Sequence, residues 1–374
     1  MKINLHALLS ATAAMLAIPV IADTLPTPAS SEAANIPANV IFDTDMMSDI
    51  DDALALAMLH ALHDRHEANL VAVTISTDDE WCASYVDLID TFFGHPQIPI
   101  GIVHGGVNLR KSEPTEIPPE PNYTQLLSER RRPDGAFVYP HRLVDGSQAP
   151  EAVALLRRTL AAQPDQSVVM IQVGFSTNYA RLLDSTPDSA SSLDGRDLIH
   201  RKVRLLSVMA GNYGETSYNG KIFPKGASEF NMAMDVPSAQ RLFSSWPTPI
   251  VASGFEVGAS MLFPAFAVEH YFSYVPDHPI AETYRAYVKW WKMKWPHDHP
   301  TFDLTAVLYA VRPDADYFSL SGKGKITVLA SGVSRFDASE SGTHRYLILP
   351  EEKRARTLEA MVMLASQPPA GKAP

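Results

Sequence analysis

Between Val40 and Leu59 the chain reads VIFDTDMMSDIDDALALAML, an apolar run that ends in five aspartates and passes into a Leu- and Ala-rich stretch with helical spacing. The pattern predicts a strand, an acidic turn and a helix. Asp43 and Asp45, two apart at the strand end, start on one face, and Asp51 and Asp52 open the helix. The carboxylates are therefore expected to converge on one small space. One or two aspartates could cap the helix and favour its dipole, but five exceed what a cap uses. Carboxylates held together repel unless they are protonated or bridged by a cation, and an all-oxygen cluster suits a hard ion such as calcium or magnesium.

The same alternation recurs along the chain. Residues 70–75 form a β-rich run, 85–93 have helical spacing, and 98–103 are apolar again before Gly105 and Gly106. Residues 168–173 and 203–209 are further buried-strand patterns, the first followed by a helical pattern over 178–183 and the second ending at Ala210-Gly211-Asn212. This predicts an α/β fold with a doubly wound, mostly parallel sheet and helices on both faces. Residues 112–142 break the rhythm with several prolines and Arg130-Arg131-Arg132, and are expected to be a long surface excursion of the kind often used as a lid. No repeat or linker divides the chain, so residues 38–366 are expected to form one large catalytic domain, after a flexible Pro/Ala/Ser-rich leader over 23–37 and before a disordered tail over 367–374.

At the amino end, Lys2 precedes an apolar run over residues 7–22 that ends in small residues, the pattern of a cleavable secretory signal. Cleavage is expected after Ala22, giving a secreted or periplasmic protein that begins near Asp23. No other stretch is apolar enough to span a bilayer, so no membrane attachment is expected after cleavage. A net charge of −11 speaks against a nucleic-acid partner, which a basic surface would mark, and favours a small neutral substrate. Cys82, the only cysteine, has no intramolecular disulfide partner.

Two known metal motifs fit the aspartates poorly. An EF-hand loop starting at Asp43 needs an oxygen ligand, Gly and Glu where the chain has Met47, Ser48 and Leu54. Asp43 and Asp45 resemble the nucleophile and acid of magnesium-dependent haloacid-dehalogenase-like phosphatases, but those enzymes carry Thr or Val at the position of Met47 and lack the Asp-Ile-Asp-Asp helix start. An exported sugar- or nucleoside-binding protein that keeps the metal site without turnover is a third class.

The acidic stretch instead resembles the amino-terminal signature of the inosine-uridine-preferring nucleoside hydrolases, in which Asp-x-Asp is followed by Asp-Asp and an Ala/Leu-rich helix. Most members place three residues between the acidic pairs, where this chain has the five of Met46 to Ile50. Asp49 is thus an additional ligand or a substrate contact. Four later segments resemble the family in order: Ser76-Thr77-Asp78-Asp79, VGFSTNYARLL from Val173, Ser228-Glu229-Phe230-Asn231, and the acidic segment around Asp303. Alone, Thr177, Asn178 or Asp303 would read equally well as helix caps.

The resemblance implies a nucleoside hydrolase fold and a calcium-dependent enzyme, active as a homo-oligomer, that splits ribonucleosides into base and ribose. It implies calcium held by Asp45, Asp52, the Val173 carbonyl and Asp303, with Asp45 also the general base. Asp51, Asp79, Glu229 and Asn231 would hold the sugar. Phe302 stands where relatives often have a histidine that protonates the departing base, leaving His297 and His299 as nearby candidates. Tyr123, Tyr139, Trp290 and Trp291 are aromatics available for stacking on the base, with none singled out.

Overall fold

The segments patterned as strands and helices form in the order expected. The computed structural model of the protein describes residues 37–111, 118 and 120–371. The chain runs through β1 (Ala38–Thr44), α1 (Asp51–Asp64), β2 (Ala68–Thr77), α2 (Cys82–Phe92), β3 (Ile100–Val107), α3 (Tyr123–Glu129) and α4 (Ala152–Ala162). It continues with β4 (Val168–Gln172), α5 (Thr177–Leu183), α6 (Gly195–Lys202), β5 (Val203–Met209) and a small antiparallel hairpin of β6 (Thr216–Tyr218) and β7 (Lys221–Phe223). Next come α7 (Phe230–Met234), α8 (Val236–Ser245), β8 (Ile250–Ser253), α9 (Phe255–Ala259), β9 (Leu262–Phe263), α10 (Ala265–His270) and α11 (Pro279–Trp290). The last elements are β10 (His299–Pro300), α12 (Phe302–Val311), β11 (Ser319–Leu320), β12 (Gly324–Val328), β13 (Ser334–Ala338), β14 (His344–Ile348) and α13 (Glu351–Ala365).

Among the described residues, ten strands join in one sheet, ordered β13-β12-β14-β8-β5-β4-β1-β2-β3 with β11 alongside β14. The pairings from β3 across to β14 are parallel, and the carboxyl-terminal edge is antiparallel. This is the mostly parallel, doubly wound sheet implied by the alternating pattern. Helices cover both faces, which is why the central strands are apolar throughout instead of alternating with polar residues. Val40 and Phe42 of β1, with Val169 and Ile171 of β4, join the core beneath α1, α2, α11 and α12. Ile41, Val168 and Met170 point the other way, into a second core with Leu156 of α4, Leu182 of α5 and Leu242 of α8. Each such side chain contributes roughly 1.5–3 kcal/mol of burial, so the central strands are fixed in register by both layers at once.

The chain steps outward from β1 through β2 to β3, then returns to place β4 on the opposite side of β1. The winding direction reverses between β1 and β4. A crevice opens outside the carboxyl ends of strands at such a reversal, and ligands of open α/β sheets bind there. The aspartates follow β1 at this point.

One expectation needs correction. Residues 112–142 are not wholly a surface excursion: Asn122 caps α3 by accepting from Gln125 N, and Tyr123 at the start of that helix is fully buried. The expected signal over 1–22, all of the leader over 23–37 except Pro37, residues 112–117 and 119 of the excursion, and 372–374 of the tail lie outside the described residues. Of the remaining tail, Gln367 accepts from Arg65 and Ala370 N donates to Asp64. No described helix is long and apolar enough to cross a membrane.

Candidate active site

Local geometry at the end of β1 sets the aspartates. Asp45 follows the strand, and Ser48 N closes a turn on its carbonyl at 3.2 Å. Met47 takes a φ of 108°, a left-handed conformation that costs free energy for a residue with a Cβ. The turn is held from below, since Met47 N donates to the Tyr123 hydroxyl and that hydroxyl donates to the Asp49 carbonyl, each at 2.7 Å. Fully buried, the Tyr123 ring is removed from the aromatics able to stack on a ligand. From the β4 side, Gly174 lies so close to Asp45 N and the Ser76 hydroxyl that any side chain there would collide.

Asp51 and Asp52 open α1, yet its N-cap is Ile50 and no side chain caps it. Likewise Thr301, not Asp303, sits at the N-cap of α12. The capping explanation therefore does not account for these acids. One carboxylate oxygen each from Asp51, Asp52 and Asp303 lies within 4.8 Å of the others, and all three side chains are buried. Asp51 accepts from Asp303 N at 2.9 Å, and Asp52 accepts from the Thr44 hydroxyl. Asp45, 2% exposed, leaves its Oδ2 buried without a partner among the described residues.

Burial dominates the electrostatics. It pushes the Asp45 carboxyl up to about 8, with Asp51 and Asp49 adding repulsion against a hydrogen bond from Ser48. Burial and mutual repulsion hold Asp51, Asp52 and Asp303 well above the ordinary carboxylate range. A set of buried oxygens that repel one another, one of them unpaired, fits a hard divalent cation and offers no soft donor.

Asp45 and Asp43 both lie outside the three whose oxygens gather; Asp43 Oδ1 is, like Asp45 Oδ2, buried with no partner among the described residues, and Asp43 is held through its other oxygen. Its Oδ2 accepts from Thr74 at 2.6 Å and Asn178 at 2.7 Å, and burial raises it to about 7. The reason is its place inside β1, directly opposite Thr74 of β2.

The remaining expected residues line the same crevice from neighbouring strand ends. The Val173 carbonyl, just beyond β4, accepts from Asn231 Nδ2 at 2.6 Å. Glu229 is buried and serves as the N-cap of α7, accepting from Asn231 N at 2.7 Å, Met232 N at 3.2 Å and Gly211 N at 3.1 Å. Burial raises its carboxyl to about 7. Asp79, beyond β2, accepts from Trp81 N at 3.1 Å and from Arg110 Nε at 2.7 Å.

The two histidines separate. His299 is 2% exposed, and its Nε2 lies 2.5 Å from Asp49 Oδ1, an ion-pair distance without hydrogen-bond alignment. Burial alone would raise Asp49, but the neighbouring His299 ring, the Ile50 N–H and the Tyr287 hydroxyl outweigh it and leave the carboxyl lowered. His297 is half-buried with an unpartnered Nε2, and burial followed by the nearby His299 lowers it.

Two features escaped the sequence reading. Asn212, beyond β5, is 2% exposed and neither amide atom of its side chain has a partner among the described residues. Buried polar groups are seldom left so, and a ligand or water is the usual remedy. The Gly211-Asn212 step at a strand end was the available signal. The second feature is a wall of half-buried rings: Phe302 stacks on Phe255 at 5.1 Å, and Tyr218 of the β6–β7 hairpin lies 6.3 Å from Phe302 and 6.0 Å from Phe255. Burial and the nearby Asp49 raise the Tyr218 hydroxyl, so the wall borders the acids.

The comparisons with known proteins agree with this geometry. A family model described as inosine-uridine preferring nucleoside hydrolase matches residues 40–366. A purine-preferring ribonucleoside hydrolase from Gardnerella vaginalis shares the fold with a TM-score of 0.61 at 17% identity, covering 88% of this chain and 98% of its own. An inosine-uridine preferring nucleoside hydrolase from Bacillus anthracis has a TM-score of 0.57 at 16% identity, with 88% and 99% covered. A type III effector protein, XopQ, solved with adenosine diphosphate ribose, has a TM-score of 0.58 at 15% identity, with 88% and 93% covered. At these identities the solved structures establish the fold alone. No curated protein matches the sequence.

Proposed function

The chain belongs to the inosine-uridine preferring nucleoside hydrolase family, and from that premise we propose that it is a calcium-dependent hydrolase that cleaves ribonucleosides into free base and ribose. The observation that carries this reading is the buried meeting of Asp51, Asp52 and Asp303 in the crevice at the sheet's reversal, with an unpaired Asp45 oxygen. Asp45, Asp52, Asp303 and the Val173 carbonyl are the residues assigned to the cation. When bound, calcium would supply the charge that keeps these acids ionised and the Lewis-acid pull that acidifies a water and grips sugar hydroxyls.

The chain's own residues do the rest. Asp45, its Oδ2 free of protein partners, accepts the proton of the attacking water as general base. Asp51, Glu229, Asn231 and Asn212 hold the sugar hydroxyls; Glu229 can cap α7 and still accept, because each carboxylate oxygen has two acceptor sites. Positive charge develops on the sugar as the bond to the base stretches, and the surrounding acidic and amide oxygens stabilise it. The wall of Tyr218, Phe255 and Phe302 offers flat apolar contact for the departing base. His299, buried beside Asp49, is the better placed of the two histidines to protonate it.

Incubation with nucleosides and with phosphate esters, each with calcium or magnesium, tests this reading. Free base and ribose are expected. Phosphate release alone would favour the phosphatase, whose nucleophile would have to be Asp43, a fully buried residue held by Thr74 and Asn178. Binding without products would favour the non-catalytic protein. We also propose export with cleavage after Ala22, which mass spectrometry of the native protein tests: a chain beginning near Asp23 is expected, and an intact Met1 terminus in the cytoplasm would refute it.

A further inference from the structure

Asp79, of the expected sugar-holding set, spends one carboxylate oxygen on the start of α2, where the Cys82 thiol also approaches it at 4.0 Å, and the other on an arginine. Oδ1 accepts from Trp81 N at 3.1 Å, and Oδ2 accepts from Arg110 Nε at 2.7 Å. The ion pair is asymmetric in exposure, with Asp79 4% and Arg110 26% exposed. Arg110 comes from the connection after β3, and its backbone is itself fixed, since Arg110 N donates to Asn108 Oδ1 at 3.1 Å. The guanidinium thus approaches the crevice from a held main chain and is steadied through one of its nitrogens.

Its other end is not accounted for. Arg110 Nη2 is buried and has no hydrogen-bond partner among the described residues. A guanidinium nitrogen carries two N–H donors and cannot lose its charge, so leaving it buried and unpaired is costly. The place is beside the acids: Cys82 donates to the Met46 carbonyl, directly after Asp45, and Asp79, Arg110, Asp52 and Asp45 all act on its thiol. Arginine is also the side chain suited to sharing its donors between an anchoring carboxylate and a second oxygen.

We infer that Arg110 is a ligand-binding residue of this site, donating from Nη2 to an oxygen of the bound nucleoside, and that Asp79 acts as the anchor of Arg110 and not as a ligand contact itself. The inference rests on the nucleoside reading for the identity of the ligand. It reassigns the sugar-holding role that the family resemblance implied for Asp79, and it makes the two residues one unit in a site otherwise dominated by carboxylates.

The test is a double-mutant cycle on the full chain with calcium, using Arg110→Gln, Arg110→Lys, Asp79→Asn and Arg110→Gln/Asp79→Asn. Loss of one charge-assisted hydrogen bond is expected to raise KM by about 10–100-fold, with kcat changed far less. Arg110→Lys keeps the charge without the fork and should recover little of the loss. Asp79→Asn should weaken binding alone but add less than about twofold in the Arg110→Gln background, because Asp79 works through Arg110. Calcium affinity and Tm, measured on every variant, exclude unfolding as the cause, and Arg110→Lys keeps the comparison open if Arg110→Gln fails to fold. An unchanged KM in Arg110→Gln, or an Asp79→Asn effect undiminished in that background, would overturn the assignment. If no variant and no parent protein turns a nucleoside over, the same cycle read by calorimetric binding of inosine decides the point, and only the hydrolase reading falls. Absence of inosine binding by the parent protein overturns both.

Discussion

At the scale of single residues, the site depends on groups that hold the acids as well as on the acids. Tyr123 carries the turn between Asp45 and Asp51 through hydrogen bonds to Met47 N and the Asp49 carbonyl. Tyr123→Phe would leave both backbone groups buried and unpaired, at about 1–3 kcal/mol, and the left-handed Met47 would lose its restraint. The expected outcome is a folded protein with a lower Tm and turnover reduced about tenfold, read by circular dichroism and initial rates. Turnover and Tm equal to those of the parent would show that the turn holds itself. The aspartates were legible in the sequence because five acids beside a helix start are a local pattern. The bonds that hold Asp43 Oδ2 were not legible, because their donors, Thr74 and Asn178, come from β2 and α5 and leave no trace near it in sequence. Asn212 and Arg110 were missed for the same reason: an unpaired buried atom exists only once distant strands have closed around it.

At the scale of elements, the strands and helices read from apolar spacing around β1 to β5 formed as expected, while α4, α8, α11, α13 and the strands from β8 onward went unread, as did the short pieces. The β6–β7 hairpin has three residues in each strand and no apolar alternation to betray it, yet it brings Tyr218 to the wall beside Asp49. Tyr218→Ala is expected to raise KM for nucleosides several-fold without changing calcium affinity, since the ring offers contact to the base and no metal donor. Equal losses for free ribose and for nucleosides in inhibition assays would place the hairpin elsewhere in function. At the other end of the sheet, His344 of β14 accepts from Ile326 N of β12 at 3.0 Å through Nδ1. Burial, helped by Lys325, lowers its pKa from 6.5 to about 4. Below pH 6.5 the unfolded chain takes up a proton that the folded chain refuses. The contribution is therefore intact above pH 6.5 and is lost as pH falls towards 4, by up to about 3 kcal/mol. Between pH 7.5 and 5 the parent's Tm should fall more steeply than that of His344→Gln; parallel curves would assign the acid sensitivity to other groups.

At the scale of the whole molecule, the doubly wound sheet was legible because strands buried on both faces must be apolar throughout and must alternate with helices. The order of the strands was not, and that order makes the site: the reversal between β1 and β4 sets Asp45 against Gly174, next to Val173, while α12 brings Asp303 onto Asp51 at the start of α1. Because the acids repel one another in a buried space, removing a bound cation should loosen the entire crevice. Chelation is expected to lower Tm and abolish turnover, with both restored by calcium; stability and activity indifferent to chelator would remove the metal from the account. Turnover by Asp45→Asn, with calcium occupancy measured in the same sample, decides whether Asp45 is the base. Asn keeps the shape and a neutral oxygen but takes no proton, so a calcium-loaded variant should bind nucleoside and turn it over roughly two to four orders of magnitude more slowly. Near-normal release of base and ribose by that calcium-loaded variant would contradict the account and move the base to another residue, with Asp49 the first to examine.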